Sequence, residues 1–255
     1  MVKQNIGNAK VVGENVIKMK VEMKDCFKKF KNIWEKTISK ICVENTLSFT
    51  SKGLEMIFTS PSNVIMCRLR VASDAFEVYE LESETETIHI KTSTFVKYLK
   101  SFITDVTLSI EKNQLILSSG KTKFKMSVLS EIEKSPFKNP DEFVNTGFCT
   151  VKTEEFIEMV HNSSLVGEAS TLILNNDHFY ITTDGYIDNA EIEVEMLDKN
   201  APSEIKVKLG SALLEQIYNS AFENITLKMS NDAPLVFVSE TDNIIFDGAI
   251  APRVG

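Results

Sequence analysis

No run of about 18 apolar residues occurs in the chain, which excludes a helix able to cross a membrane. The opening stretch MVKQNIGNAKVVGENV lacks the apolar core of a secretory signal, so an intracellular site of action and no membrane partner are expected. Cys26, Cys42, Cys67 and Cys149 include no C-x-x-C pair and lie in apolar or mixed segments. That argues against a disulfide framework or a zinc site and predicts reduced core thiols and no metal. Catalytic signatures are missing too. His89, His161 and His178 belong to no H-E-x-x-H, and neither G-x-S-x-G nor G-x-x-x-x-G-K-[ST] is found, so neither an enzyme nor a cofactor is expected. The acidic run YELESETETI, with Glu80, Glu82, Glu84 and Glu86, imitates a metal cluster, but alternating glutamates leading into a strand read as a solvated edge.

What is present is an ordinary globular composition: 255 residues, 43% hydrophobic and 25% charged. Such a chain can bury one large core or two of about 120 residues each. The net charge of −8 is unevenly spread: residues 1–130 carry 20 basic against 14 acidic side chains, residues 131–255 only 8 against 22. Either the two halves present solvated surfaces of different sign, or a positive half meets nucleic acid or the negative half of a second copy.

The same order of elements occurs twice. KDCFKKFKNIWEKTIS carries Phe27, Phe30, Trp34, Ile38 and Ile41 at steps of three and four, one apolar stripe of a helix. Strands TLSFT and GLEMIF follow around a Ser-Lys-Gly turn, then VIMCRLRV and ETIHIK, a second helix TSTFVKYLKSF, a hairpin DVTLSIEKNQLILSS and a closing strand KFKMSV. In the second half TEEFIEMVHNSSL matches the first helix through Phe156, Val160 and Ser163, TLILNNDHFYIT matches the hairpin, and AEIEVEM the third strand. IKVKLGSALLEQIYNSAF and ITLKMSNDAPLVFVS then echo IHIKTSTFVKYLKSF and VTLSIEKNQLILSS at nearly equal spacing. Two equivalent domains are expected, joined by the extended EIEKSPFKNPDEFVNTG, with helices on one face of antiparallel sheet in an α+β class.

Gly53-Leu54 after the hairpin turn, SPSNV before IMCRL, FVKYLK, the mid-chain connector, NDAPLVF and the terminal IAPRVG together resemble the proliferating cell nuclear antigen (PCNA) family of sliding clamps, in order from about residue 20 to 255. The resemblance implies a two-domain DNA-clamp fold of duplicated β-α-β-β-β units, with helices inside and antiparallel sheets outside. Its parts would be an N-terminal extension over 1–15, which has no recognised counterpart, a first clamp domain over 16–130, a connector over 131–146 and a second clamp domain over 147–255. It further implies a head-to-tail trimeric ring around duplex DNA that acts as a processivity factor. DNA polymerase, clamp loader, nuclease and ligase would dock through short peptides. The compartment would be the nucleus in a eukaryote, the cytoplasm in an archaeon, or the replication site of a virus.

Stepping about 100° per residue from Phe30 puts Lys28, Asn32 and Ser39 opposite the apolar stripe, with Lys29 and Lys36 on its flank. Lys97 and Lys100 fall opposite Phe95 and Leu99 on the next helix and match positions that the family turns toward DNA. Lysine suits a sliding contact, because it meets phosphates as a mobile point charge and reads no base. The second half departs from the family: Glu158, His161 and Leu165, then Glu215 and Asn219, stand where basic residues are usual. A homotrimer resting on its first-domain lysines, one subunit of a heterotrimer, including a checkpoint-type clamp, and an acidic clamp-like adaptor that does not close on DNA all remain open.

The family's partner-peptide pocket maps onto Thr59, Asn63 and Val64, then Phe137 and Pro140, then Pro234, Ala249, Ile250, Ala251 and Pro252. Asn63 replaces a usual histidine and Ala249 a usual aromatic, so a wider pocket is expected. In a ring, the closing strand of one subunit pairs with an edge of the next. Lys121, Lys123 and Lys125 share one face of KTKFKMSVLS, and Glu191, Glu193 and Glu195 share one face of DNAEIEVEM, with Phe124 and Met126 turned inward beside Ile192 and Val194. The lysine line is therefore expected to be half of a subunit seam; the alternative is that both edges carry charge only to block aggregation.

Overall fold

The computed structural model describes residues 17–253 apart from 112, 131 and 133–137. The N-terminal extension, most of the first part of the connector and Phe137 therefore lie outside the described residues.

The first half runs β1 (Ile17–Met23), α1 (Phe27–Ile33), a π-helical turn (Trp34–Ile38) and α2 (Ser39–Ile41), then β2 (Glu44–Thr50), β3 (Gly53–Thr59), β4 (Ile65–Ala72), β5 (Val78–Leu81), β6 (Thr85–Lys91), α3 (Thr92–Leu99), β7 (Val106–Glu111), β8 (Gln114–Ser119) and β9 (Thr122–Ser127). The second half repeats the order as β10 (Gly147–Lys152), α4 (Thr153–Ser164), β11 (Ala169–Leu174), β12 (Phe179–Asp184), β13 (Asn189–Val194), β14 (Asp198–Asn200), β15 (Ile205–Gly210), α5 (Ser211–Leu214), β16 (Asn224–Met229), β17 (Leu235–Glu240) and β18 (Ile244–Ile250).

Each half folds its strands into a five-strand set and a four-strand set. In the first half these are β5-β1-β7-β8-β9 and β4-β3-β2-β6; in the second, β14-β10-β16-β17-β18 and β13-β12-β11-β15. Antiparallel pairing of β18 with β4 fuses one set from each half into a single nine-stranded sheet. Among the sheet edges of the described residues, two have counterparts that are paired in the other half: β9 ends the first half's five-strand set where β18 ends the second's, and β13 ends a four-strand set where β4 does.

Alternation sets the strands. In β2 and β3, Leu47, Phe49, Leu54, Met56 and Phe58 face the core while their neighbours stay partly exposed. Gly53 sits at φ +127, and a Cβ there would lie 2.1 Å from the Val71 carbonyl oxygen, so the turn entering β3 admits only glycine. The expected stripe of the first helix is buried throughout, with Trp34 packed on Phe95 at a centroid distance of 4.6 Å. All four cysteines are free and buried; burial pushes the Cys26 and Cys42 thiols up to about 11, and Cys67 and Cys149 are raised as well.

Two helices are shorter than their patterns suggest. α3 closes at Leu99, because Ser101 N–H and Phe102 N–H turn back to the Tyr98 and Leu99 carbonyls. α5 is a single turn, after which Asn219 organises the chain by accepting from Ala221 N–H through its side chain at 2.8 Å.

Candidate functional site

The helices form one row. α1–α2 packs beside α3 within the first half, α4 beside α5 within the second, and Thr37 and Asn219 join the two pairs. Asn219 Nδ2 donates to Thr37 Oγ1 at 2.9 Å and to the Asn32 carbonyl at 3.4 Å, while Thr37 Oγ1 donates to the Tyr218 carbonyl at 3.3 Å. These bonds lie at the π-helical turn, an irregularity that uniform 100° stepping does not anticipate. They also correct one expectation: Asn219 is buried between the halves and does not face outward from the helix row.

The five lysines singled out from the sequence are all exposed, Lys28, Lys29 and Lys36 on the first rod and Lys97 and Lys100 at the end of the second. Lys40 is exposed on the last turn of the first rod and was not among them; it lies beyond the π turn, where the helical phase has moved. Lys31 has another task. Its Nζ donates to the Phe102 carbonyl at 2.8 Å and the Lys100 carbonyl at 3.3 Å, placing a cation on the open end of α3. On α4 the exposed side chains include Glu154, Glu158, His161 and Asn162, followed by Leu165.

The residues expected around the peptide pocket come together through strand register. Thr59 faces Met66, Met66 faces Ala249 and Ala249 faces Val236, a rung across β3, β4, β18 and β17. Val64 joins this rung through its carbonyl, which accepts from Ala251 N–H at 2.8 Å, and Thr59 Oγ1 donates to Asn63 Oδ1 at 3.3 Å. Pro234, Ala251 and Pro252 are half-buried beside it. Pro140 is buried at the start of a short turn that rests on β18, its N-terminus capped by Asn139 Oδ1 accepting from Asp141 N–H at 3.2 Å.

One expectation needs correction. Ile250 is fully buried in the core, because strand alternation turns it away from the face that carries Ala249. Ala249, on the opposite face, is 2% exposed. Met66, at the centre of the rung, went unrecognised in the sequence; its period-two relation to Val64 was the available signal.

One rung further on the same face, Ile57, Arg68, Asp247 and Val238 stand in line. Arg68 Nε donates to Asp247 Oδ1 at 3.1 Å and its Nη2 to Oδ2 at 2.5 Å, with Arg70 Nη2 adding a bond of 3.3 Å and Asp141 of the connector 3.8 Å from Arg68. The Asp247 carboxylate holds the Arg68 guanidinium above its ordinary value. The joint between the halves is therefore clasped by a buried, forked ion pair.

At the open edges, Lys123 and Lys125 lie on the outer face of β9 and Lys121 immediately before it, all exposed. Phe124 faces inward, stacked on Tyr98 at 4.7 Å and edge-on to Phe102 at 5.7 Å, and Met126 is buried. On β13 Glu191 and Glu193 point outward while Ile192 and Val194 pack toward the core. The strand ends at Val194, so Glu195 lies one residue past it and the line of glutamates within the strand is two long. Both edges have local partners: Lys123 Nζ lies 3.8 Å from Glu111, and Glu193 lies 2.6 Å from His178 Nδ1.

No family model matches the chain. It is 26% identical over 239 residues to the DNA polymerase sliding clamp of Thermococcus fumicolans, covering 86% of this chain and 92% of that protein. Its fold superposes with a TM-score of 0.84 on A. fulgidus PCNA bound to the C-terminal region of FEN-1, at 20% identity, covering 93% of this chain and 99% of that one. PCNA from Entamoeba histolytica gives the same TM-score at 19% identity, covering 94% and 100%. In sequence the chain is similar to DNA polymerase sliding clamps, and its fold is that of the PCNA structures.

Proposed function

We propose that copies of this chain close head to tail into a trimeric ring around duplex DNA and act, without catalysis, as a processivity factor. The observation that carries this reading is the β18–β4 joint, a finished example of the contact that β9 and β13 lack. Leu117 pairs with Phe124 as Phe237 pairs with Gly248, and Met56 pairs with Leu69 as Ile181 pairs with Ile192. Phe124 thus holds the place of Gly248, and Ile192 that of Leu69. The match extends past the strands: Leu129 N–H donates to the His89 carbonyl and Arg253 N–H to the Lys208 carbonyl, both at 2.8 Å.

Transferring the β18–β4 register to β9 and a neighbour's β13 sets Lys123 against Glu191, Lys121 against Glu193 and Lys125 against Asn189. The Lys123–Glu191 rung replaces Asp247–Arg68 with the signs exchanged. The same pairing brings α3 beside a neighbour's α4 and continues the helix row from one protomer to the next.

In such a ring Lys28, Lys29, Lys36, Lys97 and Lys100 meet phosphates, and the acidic α4 contributes little to DNA contact. The rung Thr59–Met66–Ala249, with Val64, Pro140, Pro234, Ala251 and Pro252, is the docking surface for short peptides of polymerase, nuclease, ligase and loader. The A. fulgidus PCNA complex with a FEN-1 segment supports a nuclease among these clients. Extension of a primed single-stranded circle by a DNA polymerase from the same source tests the function: longer products are expected with the clamp and its loader, and unchanged lengths contradict it. Replacing Lys97 and Lys100 by alanine removes two phosphate contacts per protomer, so the slope of log affinity against log salt should become shallower by about 2 for each protomer on DNA. An unchanged slope, measured by titration at several salt concentrations, removes these lysines from the interface.

A further inference from the structure

Tyr186 and Ile187 are the tip of the β12–β13 turn and stand free of the rest of the chain, 103% and 85% exposed. An isolated exposed apolar residue is ordinary, but two in succession beside an unpaired strand edge are a surface in want of a partner. The turn is closed by Gly185 N–H donating to the Asp188 carbonyl at 2.8 Å. Its counterpart in the first half, the β3–β4 turn, is closed in the same way by Ser60 N–H and the Ile65 carbonyl at 2.9 Å.

That counterpart is not free. Val64 packs against the core, and its carbonyl accepts from Ala251 N–H just after β18 ends. The strand correspondence matches Ala251, Pro252 and Arg253 to Ser127, Val128 and Leu129 at the end of β9. Val128 N–H is directed back to the Asn113 carbonyl at 3.2 Å, which by alternation leaves Ser127 N–H pointing out along the open edge.

We propose that the Tyr186–Ile187 turn is a latch that closes on the Ser127–Leu129 segment of a neighbouring copy of this chain. The Ile187 carbonyl accepts from the neighbour's Ser127 N–H, and Tyr186 and Ile187 cover the neighbour's Val128. The occupant is a second copy because the latch is continuous with the β13 edge, and because the same fold fills the equivalent place internally with its own C-terminal segment. This inference rests on the ring reading and adds to its strand pairing an apolar clasp at the front of each seam.

Two variants test it. Ile187→Cys combined with Ser127→Cys should form disulfide-linked oligomers under mild oxidation, because matched positions across such a contact fall within bridging distance and the four native thiols are buried. Either single variant should not. Tyr186→Ser with Ile187→Ser alters only exposed side chains, so the protomer folds as before, and its assembly should weaken by about tenfold or more in sedimentation equilibrium. A parent chain that assembles while the cysteine pair stays unlinked, or while the serine variant assembles equally well, overturns the latch and leaves the ring standing. A parent chain that remains a monomer overturns the ring reading and the latch with it.

Discussion

Lys121→Glu, Lys123→Glu and Lys125→Glu together are expected to yield a folded monomer that no longer assembles. Each lysine is exposed in the monomer, so the fold has no stake in it beyond the weak approach of Lys123 to Glu111. In the seam two of the three face a glutamate directly, and each favourable cross-strand pair contributes about 0.2–1 kcal/mol. Reversal removes that attraction and puts like charges opposite each other, at every seam of the ring. Assembly should fall by about a hundredfold or more at low ionic strength. Part of it should return as salt screens the repulsion. Adding Glu191→Lys and Glu193→Lys restores opposite charges in the same register and should restore assembly. Sedimentation equilibrium of the two variants reads both effects; a reversed triple that assembles like the parent contradicts the seam.

The largest effect on stability is expected from Asp247→Ala. Asp247 is 2% exposed and binds Arg68 through two nitrogens and Arg70 through a third. Removing one side of a buried ion pair leaves the other charge without its compensating partner, at a cost of about 3–5 kcal/mol. The pair sits on the rung that fuses the two halves into one sheet, so the loss should appear as a lower denaturation midpoint for the whole chain. Replacement of Lys125, solvated on the outer face of β9, should move the midpoint little. A change below about 1 kcal/mol for Asp247→Ala in chemical denaturation contradicts a clasping role for the pair.

The repeated order of strands and helices was legible because alternation and three-to-four spacing survive in both halves, as in GLEMIF and in the Phe27–Phe30–Trp34 stripe. The strands β1, β5, β10, β14 and β18 were not recognised. β14 shows why a pattern can be silent: Asp198, Lys199 and Asn200 are all exposed, and the segment is held only by backbone pairing to β10. On β9 and within β13 the lysines and glutamates lie on one face and Phe124, Ile192 and Val194 on the other, as alternation implies. Those defined by helical phase failed where the phase was broken. Asn219 follows a one-turn α5 and turns inward, a displacement that regular spacing does not encode. The resemblance places Ile250 with Ala249 and Ala251 in one pocket, whereas strand period sends Ala249 and Ile250 to opposite faces. The pairing of Arg68 with Asp247 joins residues 179 apart in the chain and becomes visible only once β18 lies beside β4.

A nicked circular duplex carrying the loaded protein distinguishes a ring that encloses DNA from a protein that only adheres to it. A closed ring should remain on the circle through gel filtration in salt high enough to screen phosphate contacts, and should leave when a restriction enzyme linearises the DNA. Release from the intact circle at the same rate as from the linear form would contradict a ring that encloses DNA.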